Sequence, residues 1–493
     1  MRMHTSARRL YVAAQVRELD RRAVMQFGIS GYELMQRAAA GCWSALRQRW
    51  PNAQRIVVVA GPGKNGGDGY EIARLARADG CQVEVLSVGA RPQSGDAATA
   101  CAAWGAEGLV GVWSGRLPTA DVLVDALFGV GLSRPPVGDA AAAIAAINAA
   151  RGKGAGVLAV DLPSGLDASS GAARGAVVRA DLTVTFIGDK LGLHTAEGPD
   201  CAGTVVLEPL ELPASVYAEL PATALLMHAG DLRRLLPPRA RGTHKNRNGH
   251  VCVIGGNHGM AGAVLLAARA ALRAGAGLVT VATRAGHAVA LTAAQPELMC
   301  HGVEDASALA PLLQRADVIA IGPGLGQDAW AQALWGAARA SGKPLIVDAD
   351  ALNLLAQAPQ RLPQAVLTPH PGEAARLLGR DSRTVQLDRL DALRALQERY
   401  DAVVVLKGAG TMVVTDTVWL CPYGNPGMAV AGMGDALTGV MAGLRAQGLS
   451  NADAAHAGVL AHALAGDRAA ARCERGLLPS DLILALRETV NPV

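Results

Sequence analysis

Arg55-Ile-Val-Val-Val-Ala-Gly-Pro-Gly-Lys-Asn-Gly-Gly-Asp-Gly69 decides the fold class. Arg55 to Ala60 is a short, continuous apolar run rich in β-branched residues, which reads as a buried strand, and it runs directly into a glycine-rich loop. The residues beyond predict a helix from Tyr70 to about Asp79 and a second strand from Gln82 to Val88. Strand, glycine loop, helix and strand make a βαβ unit, whose loop lies at the carboxyl edge of a parallel sheet, where phosphates bind. Gly61, Gly63 and Gly66 satisfy G-x-G-x-x-G, a weak pattern when it stands alone. A dinucleotide fold would place an acid at the end of the next strand to hold a ribose. Here that end is Ser87-Val-Gly-Ala90 and Glu84 is mid-strand, which disfavours the ordinary redox reading. What the loop has in excess is Asn65 and Asp68, polar groups able to hold a cation or a ligand amide.

Two later loops belong to the same sheet edge. Val122-Leu-Val-Asp125 ends on an acid and leads into Gly129-Val-Gly-Leu-Ser-Arg134; Val157-Leu-Ala-Val-Asp161 leads into Leu-Pro-Ser-Gly-Leu-Asp167. One Asp alone reads equally as a cap or turn residue. Parallel strands that each deliver a carboxylate, amide or hydroxyl at one edge describe a ligand crevice. Upstream, Ala13 to Met35 reads as one or two helices with a break at Gly31.

A chain of 493 residues exceeds one ordinary core, so two or three domains are expected. Between Pro209 and Arg241, prolines and arginines without a sheet pattern suggest a surface linker. A second α/β pattern follows: strand Val251 to Ile254, the loop Gly255 to Gly262, a helix from Ala263 to Ala274, and strands Val318 to Ile321, Pro344 to Val347 and Val403 to Lys407. Their loops are Gly322-Pro-Gly-Leu-Gly326, Asp348-Ala-Asp350, Thr368-Pro-His-Pro-Gly-Glu373 and Lys407-Gly-Ala-Gly-Thr411. His370, between two prolines, is held without ordering cost, although a turn histidine is as good a reading. Further on, Gly432 and Gly434 free the backbone to turn its N–H groups inward ahead of an apolar run with helical spacing (Ala436, Leu437, Val440, Met441, Leu444). That is an anion hole at a helix N-terminus. A carboxylate beside it, Asp435, makes sense as the base for a hydroxyl that attacks a phosphate. The plainer alternative is an Asp favouring the first turn of a helix.

Composition narrows the classes. The chain is 51% apolar but only 3% aromatic, so Ala, Val and Leu must fill its cores. A net charge of +4 without a basic run leaves no footprint for nucleic acid. Eight scattered cysteines lack C-x-x-C or metal-ligand spacing and read as structural thiols in a reducing compartment. No signal peptide or bilayer-length apolar run is evident, which gives the expectation of a cytoplasmic protein with no membrane partner. Arginine far outnumbers lysine, whose positions are Lys64, Lys153, Lys190, Lys245, Lys343 and Lys407; four of these fall in the motifs, where a compact ammonium serves and Arg does not.

The loops at Lys64 to Gly69, Asp125 to Arg134 and Asp161 to Asp167, with Lys190, resemble the signatures of NAD(P)H-hydrate epimerases. The set Gly322 to Gly326, Thr368 to Glu373 and Asn425 to Asp435 resembles ribokinase-like ADP- or ATP-dependent NAD(P)H-hydrate dehydratases. The resemblance implies a Rossmann-like epimerase domain at 1–217 and a ribokinase-like α/β dehydratase domain at 225–493, joined in a bifunctional repair enzyme. In the first, Lys64, Asn65, Gly66, Gly67, Asp68, Gly129, Val130, Gly131, Leu132, Ser133, Arg134, Pro135 and Asp161 would bind hydrated nucleotide; Asn65, Asp125 and Ser164 would hold K⁺, and Asp161 is a candidate acid/base. In the second, Ala263, Gly324, His370 and Asp435 would hold the hydrate. Lys407, Gly408, Ala409, Gly410, Thr411 and Gly434 would hold ADP or ATP, with Mg²⁺, and Asp435 would be the base. The partners implied are small molecules, and a homo-oligomer is expected. The alternatives are a ribokinase-like vitamin-precursor kinase fused to a nucleotide-binding module, and an interaction scaffold without chemistry.

Overall fold

The computed structural model describes residues 8–132 and 134–492, so Ser133 and the first seven residues lie outside the described residues. The chain forms two compact units, one of Arg8–Leu225 and one from Leu226 onward. In the first, seven parallel strands lie in the order Val110–Val112, Gln82–Ser87, Arg55–Ala60, Val122–Ala126, Gly156–Val160, Leu182–Phe186 and Thr204–Glu208. Helices cover both faces. Ile56, Val58 and Ala60 enter one core with Leu46, Ile72 and Ala73, while Val57 and Val59 enter another with Ile144 and Ile147. A strand buried on both faces has no polar side, which is why Arg55 to Ala60 reads as a continuous apolar run.

Three local expectations are corrected. The helix expected from Tyr70 begins at Lys64 and runs to Ala78, so the glycine motif is its first turns and not a loop. Glycine is a poor helix former, but each one here makes room: a Cβ on Gly66 would lie 2.0 Å from the Gly61 carbonyl oxygen, and one on Gly69 2.6 Å from Ala126 Cβ. The N-terminal helices, Ala13–Phe27 and Gly31–Arg49, break at left-handed Gly28, and Gly31 instead opens the second helix behind the Ser30 cap. The stretch from Pro209 to Arg241 is not bare linker, for it contains the strand Ala224–Leu226 and the helix Asp231–Leu235. Elements of three and five residues are too short to show a period in sequence.

The second unit carries nine strands in the order Met299–Gly302, Leu278–Thr283, His250–Ile254, Val318–Ile321, Leu345–Val347, Ala365–Leu367, Val403–Leu406, Thr411–Val414 and Val418–Cys421. The first seven are parallel and the last two antiparallel. Helices Ala261–Ala274 and Met433–Ala446 pack on the sheet and on each other through a core rich in alanine. Their approach is close enough that a Cβ on Gly439 would lie 1.9 Å from the Ala267 carbonyl oxygen, and one on Gly443 2.6 Å from that of Ala271. Because those neighbours are backbone, they cannot rotate away. Gly439→Ala should therefore cost about 2–3 kcal/mol and Gly443→Ala roughly 1 kcal/mol in chemical denaturation; an unchanged Gly439→Ala midpoint would show that the helices are not pinned there.

Candidate active sites

In the first unit, strand order reverses between Arg55–Ala60 and Val122–Ala126, and a crevice opens at their carboxyl ends. The Gly61 N–H donates to the Ala126 carbonyl at 3.0 Å, and a Cβ on Gly61 would fall 2.1 Å from the Leu127 carbonyl oxygen. A cavity of about 550 Å³ lies there. The helix Lys64–Ala78 starts at its wall, with Gly63 as N-cap, so the first N–H groups of that helix are available to an anion. Lys64, Asn65, Asp68, Gly129, Val130, Gly131, Leu132 and Asp161 line the cavity, as the sequence leads one to expect. Gly66 and Gly67 are instead buried in packing, against the Gly61 carbonyl and the Met35 side chain. Arg134 and Pro135 are exposed and do not line the cavity, and Ser133 lies outside the described residues.

Asp161 leaves the sheet with φ of 66°, a left-handed conformation that Asp tolerates better than most residues. Its Oδ1 accepts from Lys190 Nζ at 2.5 Å and from the Phe186 N–H at 3.3 Å. Lys190, 1% exposed, also donates to the Phe186 carbonyl at 2.8 Å. The other carboxylate oxygen faces the Gly129 backbone alongside Asn65 Oδ1: a Cβ on Gly129 would lie 3.1 Å from the first and 2.9 Å from the second. Ile187, next in the wall, also has a positive φ, 64°, which is costly for a β-branched residue.

Asp125, fully buried, has only neutral partners among the hydrogen bonds described. Ser164 donates its hydroxyl to Oδ1 at 2.6 Å and its N–H to Oδ2 at 2.8 Å, and the Leu127 N–H reaches Oδ1 at 3.3 Å. Burial pushes its carboxyl up to about 6 in spite of those bonds. Burial, then the Asp161 carboxylate, likewise raise buried Asp68 well above the ordinary range. Asn65 Nδ2 is buried without a partner, and the amide turned over would present oxygen instead. An uncompensated carboxylate, a hydroxyl and an unsatisfied amide suit a weakly demanding monovalent cation.

In the second unit, strand order reverses between His250–Ile254 and Val318–Ile321. Here a Cβ on Gly255 would lie 2.0 Å from the Pro323 carbonyl oxygen, and the Asn257 N–H donates to that of Gly324 at 2.7 Å. Ala263 and Gly324 are brought together, for a Cβ on Gly324 would lie 3.2 Å from Ala263 Cβ. Leu266, one turn on, touches Gly432, the left-handed N-cap (φ 94°) of the helix Met433–Ala446. Asp435 sits in that helix's first turn. Burial above all, then the Asp348 carboxylate, push its carboxyl up to about 7, with Asp350 and Glu373 adding and Lys407 opposing. Buried His462 holds the start of this helix at 3.0 Å from the Met433 carbonyl; burial drives its ring down to about 4, so it is neutral and donates.

Lys407 ends at Asp348 Oδ1, 2.6 Å away, with Glu373 at 3.8 Å. A Cβ on Gly434 would be 3.2 Å from its ammonium, so Lys407 lies beside the backbone of the first turn of the helix Met433–Ala446. His370 caps the helix Pro371–Leu378, accepting from the Gly372 N–H at 2.9 Å while Glu373 accepts from the His370 N–H at 2.8 Å. Burial, then Lys407, lower the His370 ring below its usual range. Gly408 and Ala409 are exposed, and Thr411 closes its own turn by donating to the Gly408 carbonyl at 2.9 Å. Asn425 orders the preceding loop by donating to Asp467 at 2.9 Å. Among the described residues, no group of three His, Cys, Asp or Glu side chains is disposed to hold a metal by itself.

Sequence reasoning gave no role to Thr438, to Asp348 as the partner of Lys407, or to Arg17, Asp20 and Phe186 in the first cavity wall. The scarcity of lysine was the usable signal, since Lys190 and Lys407 prove to be the ones paired with buried or nearly buried aspartates.

Residues 31–192 match the family model described as YjeF-related protein N-terminus, and residues 251–488 that described as NAD(P)H-hydrate dehydratase. The chain is 48% identical to a bifunctional NAD(P)H-hydrate repair enzyme of Coxiella burnetii, over 98% of this chain and 99% of the relative. Its counterpart in Escherichia coli is 42% identical, over 98% and 94%. A ribokinase-like superfamily protein of Enterococcus faecalis, 32% identical, covers 54% of this chain and 95% of its own with a TM-score of 0.51. The nine-stranded unit is thus ribokinase-like, and the first unit, with its site at the reversal of a doubly covered parallel sheet, is Rossmann-like. With relatives of this identity matched over nearly the whole length, the chain belongs to the bifunctional NAD(P)H-hydrate repair enzymes.

Proposed function

We propose that Asp435 is the base of the dehydration in an enzyme that, as a member of this family, epimerises hydrated NADH and NADPH and dehydrates them back to the working cofactors. The observation that carries this reading is a half-buried carboxylate, raised to about 7, in the first turn of a helix and within the field of the half-buried Lys407 ammonium. A base with that affinity for protons is matched to neutral pH. Asp435 takes the proton of the ring hydroxyl as its oxygen attacks the terminal phosphorus of ADP or ATP. The first N–H groups of the helix and Lys407 face the charge that grows on the transferring group. AMP or ADP departs, and the C–O bond then breaks so that phosphate leaves in place of hydroxide. The adjacent ring carbon gives up its proton to the departing phosphate or to water, and the ring double bond returns with no net redox change.

The assignment places the dehydratase in residues 225–493, with Ala263, Gly324 and His370 against the hydrate and Gly408, Ala409, Gly410, Thr411 and Gly434 along the nucleotide. Mg²⁺ fits as an ion held chiefly by nucleotide phosphates, since the described residues offer no cage of three His, Cys, Asp or Glu side chains. Residues 1–217 form the epimerase, in which Asp161, steered by Lys190, takes the hydroxyl proton and passes it to the ring nitrogen as the C–N bond opens, the reverse transfer closing the ring on the other face. Asn65, Asp125 and Ser164 would hold K⁺, whose charge balances the Asp125 carboxylate. The proposal includes a cytoplasmic homo-oligomer acting on small molecules; among the described residues no helix is long and apolar enough to cross a membrane. The vitamin-precursor kinase is not favoured, because the relatives matched over both units are named repair enzymes.

Four outcomes test these assignments. Asp435→Asn should lower nucleotide-dependent recovery of dihydronicotinamide absorbance by about 10³-fold or more while leaving exchange of the two hydrate epimers intact. In the native enzyme, recovery should be lost as pH falls through about 7, because the base works only when ionised. Asp161→Asn should slow epimer exchange alone, on the order of 10²-fold, read by chromatography of the two hydrates. Asp125→Asn should raise the K⁺ concentration for half-maximal epimerisation roughly tenfold without changing dehydration of the correct epimer; an unaltered K⁺ response would remove Asp125 from the cation site.

A further inference from the structure

Asp348 has no part in the proton and phosphoryl steps above, yet both of its carboxylate oxygens are engaged beside them. It follows the strand Leu345–Val347 and is 1% exposed. One oxygen takes the Lys407 ammonium at 2.6 Å; the other accepts from the Thr438 hydroxyl at 2.8 Å. Thr438 stands three residues after Asp435 on the same helix, and Lys407 follows the strand Val403–Leu406. One carboxylate therefore ties two strand ends to the helix that bears the base. Burial works against its charge, but Lys407, Thr438 and Thr368 outweigh burial and keep Asp348 below the ordinary carboxylate range.

The alternative placement of the ammonium explains why such a clamp is needed. Lys407 is on a flexible four-carbon stem, and the charged groups facing Asp435 are Asp348, Lys407, Asp350 and Glu373. Without Asp348, the carboxylates left to draw the ammonium are Glu373, 3.8 Å away, and Asp435. A base in an ion pair with an ammonium is a weaker base, and an ammonium spent on that pair no longer faces the transferring phosphoryl group. We infer that Asp348 is a positioning residue, anchored by Thr438, that holds the Lys407 ammonium at the anion hole and off the catalytic carboxylate. The inference rests on Asp435 being the base.

The test uses the full-length enzyme with the correct hydrate epimer and saturating ADP or ATP, and records kcat, KM for the nucleotide and the pH profile. Asp348→Asn keeps the shape but removes the charge and one of the two acceptors, which loosens its hold on the ammonium. Its kcat should fall at least about tenfold while its KM stays within about threefold; the acid limb moves down from loss of the Asp348 charge alone, so kcat is the readout of positioning. Thr438→Val keeps the charge and loses only the anchor, so kcat should fall about threefold to tenfold with the limb in place. Should Asp348→Asn not fold, the Thr438→Val kcat decides. If both variants melt earlier but their folded fractions show native kcat, the role is structural and the inference is overturned. If Asp435→Asn itself retains dehydration, the base assignment fails first, an outcome separable from native kinetics in the Asp348 and Thr438 variants.

Discussion

Both sites depend on backbone meeting backbone where a parallel sheet reverses its strand order. Gly61 lies against the Leu127 carbonyl in one unit and Gly255 against the Pro323 carbonyl in the other, each so close that a Cβ would fall 2.1 and 2.0 Å from the oxygen. At a reversal, the two neighbouring strands send their helices to opposite faces, so the loops part and leave a crevice. Glycine draws those loops together at their base, and the crevice floor becomes polar main chain. The first N–H groups of a helix then point into a space that water must fill or an anion can fill. The second unit adds a further requirement of the same kind. Gly439 and Gly443 let the helix Met433–Ala446 sink onto the Ala261–Ala274 helix, which fixes where Asp435 stands.

Around each crevice the electrostatics are those of few, buried and paired charges. Lys190 is set on Asp161 and Lys407 on Asp348, at 2.5 and 2.6 Å. Burying an ammonium alone would cost several kcal/mol, so each requires its carboxylate. In the first unit the partner carboxylate is itself the candidate acid/base. In the second, the partner and the proposed base, Asp435, are different residues, and the Asp435 carboxyl is raised to about 7 because repulsion from Asp348 adds to burial. Arginine, planar and larger, fits neither position, although it is the cation this chain uses almost everywhere else.

The amino-acid sequence by itself determined the fold class and much of both sites. Strands buried on two faces leave runs such as Ile56 to Ala60 and Val251 to Ile254, and the loops after them are marked by glycine, proline and acids whose local geometry is written in their own residues. Helix start and loop were confused at Lys64 to Gly69 because helix propensity is a local quantity, whereas the glycines answer to Gly61, Met35 and Ala126 across the packing. The wall formed by Arg17 and Asp20 was not legible either, since an exposed helix face looks alike whether or not it borders a cavity. Only the tertiary structure decided which charges meet. Thr438 and Asp348 lie 90 residues apart, and Lys407 and Asp348 59 apart, and no spacing rule links them. Side-chain pairs of that kind are set by strand order and helix packing, so the identity of the groups is carried by the sequence and their proton affinities by the fold.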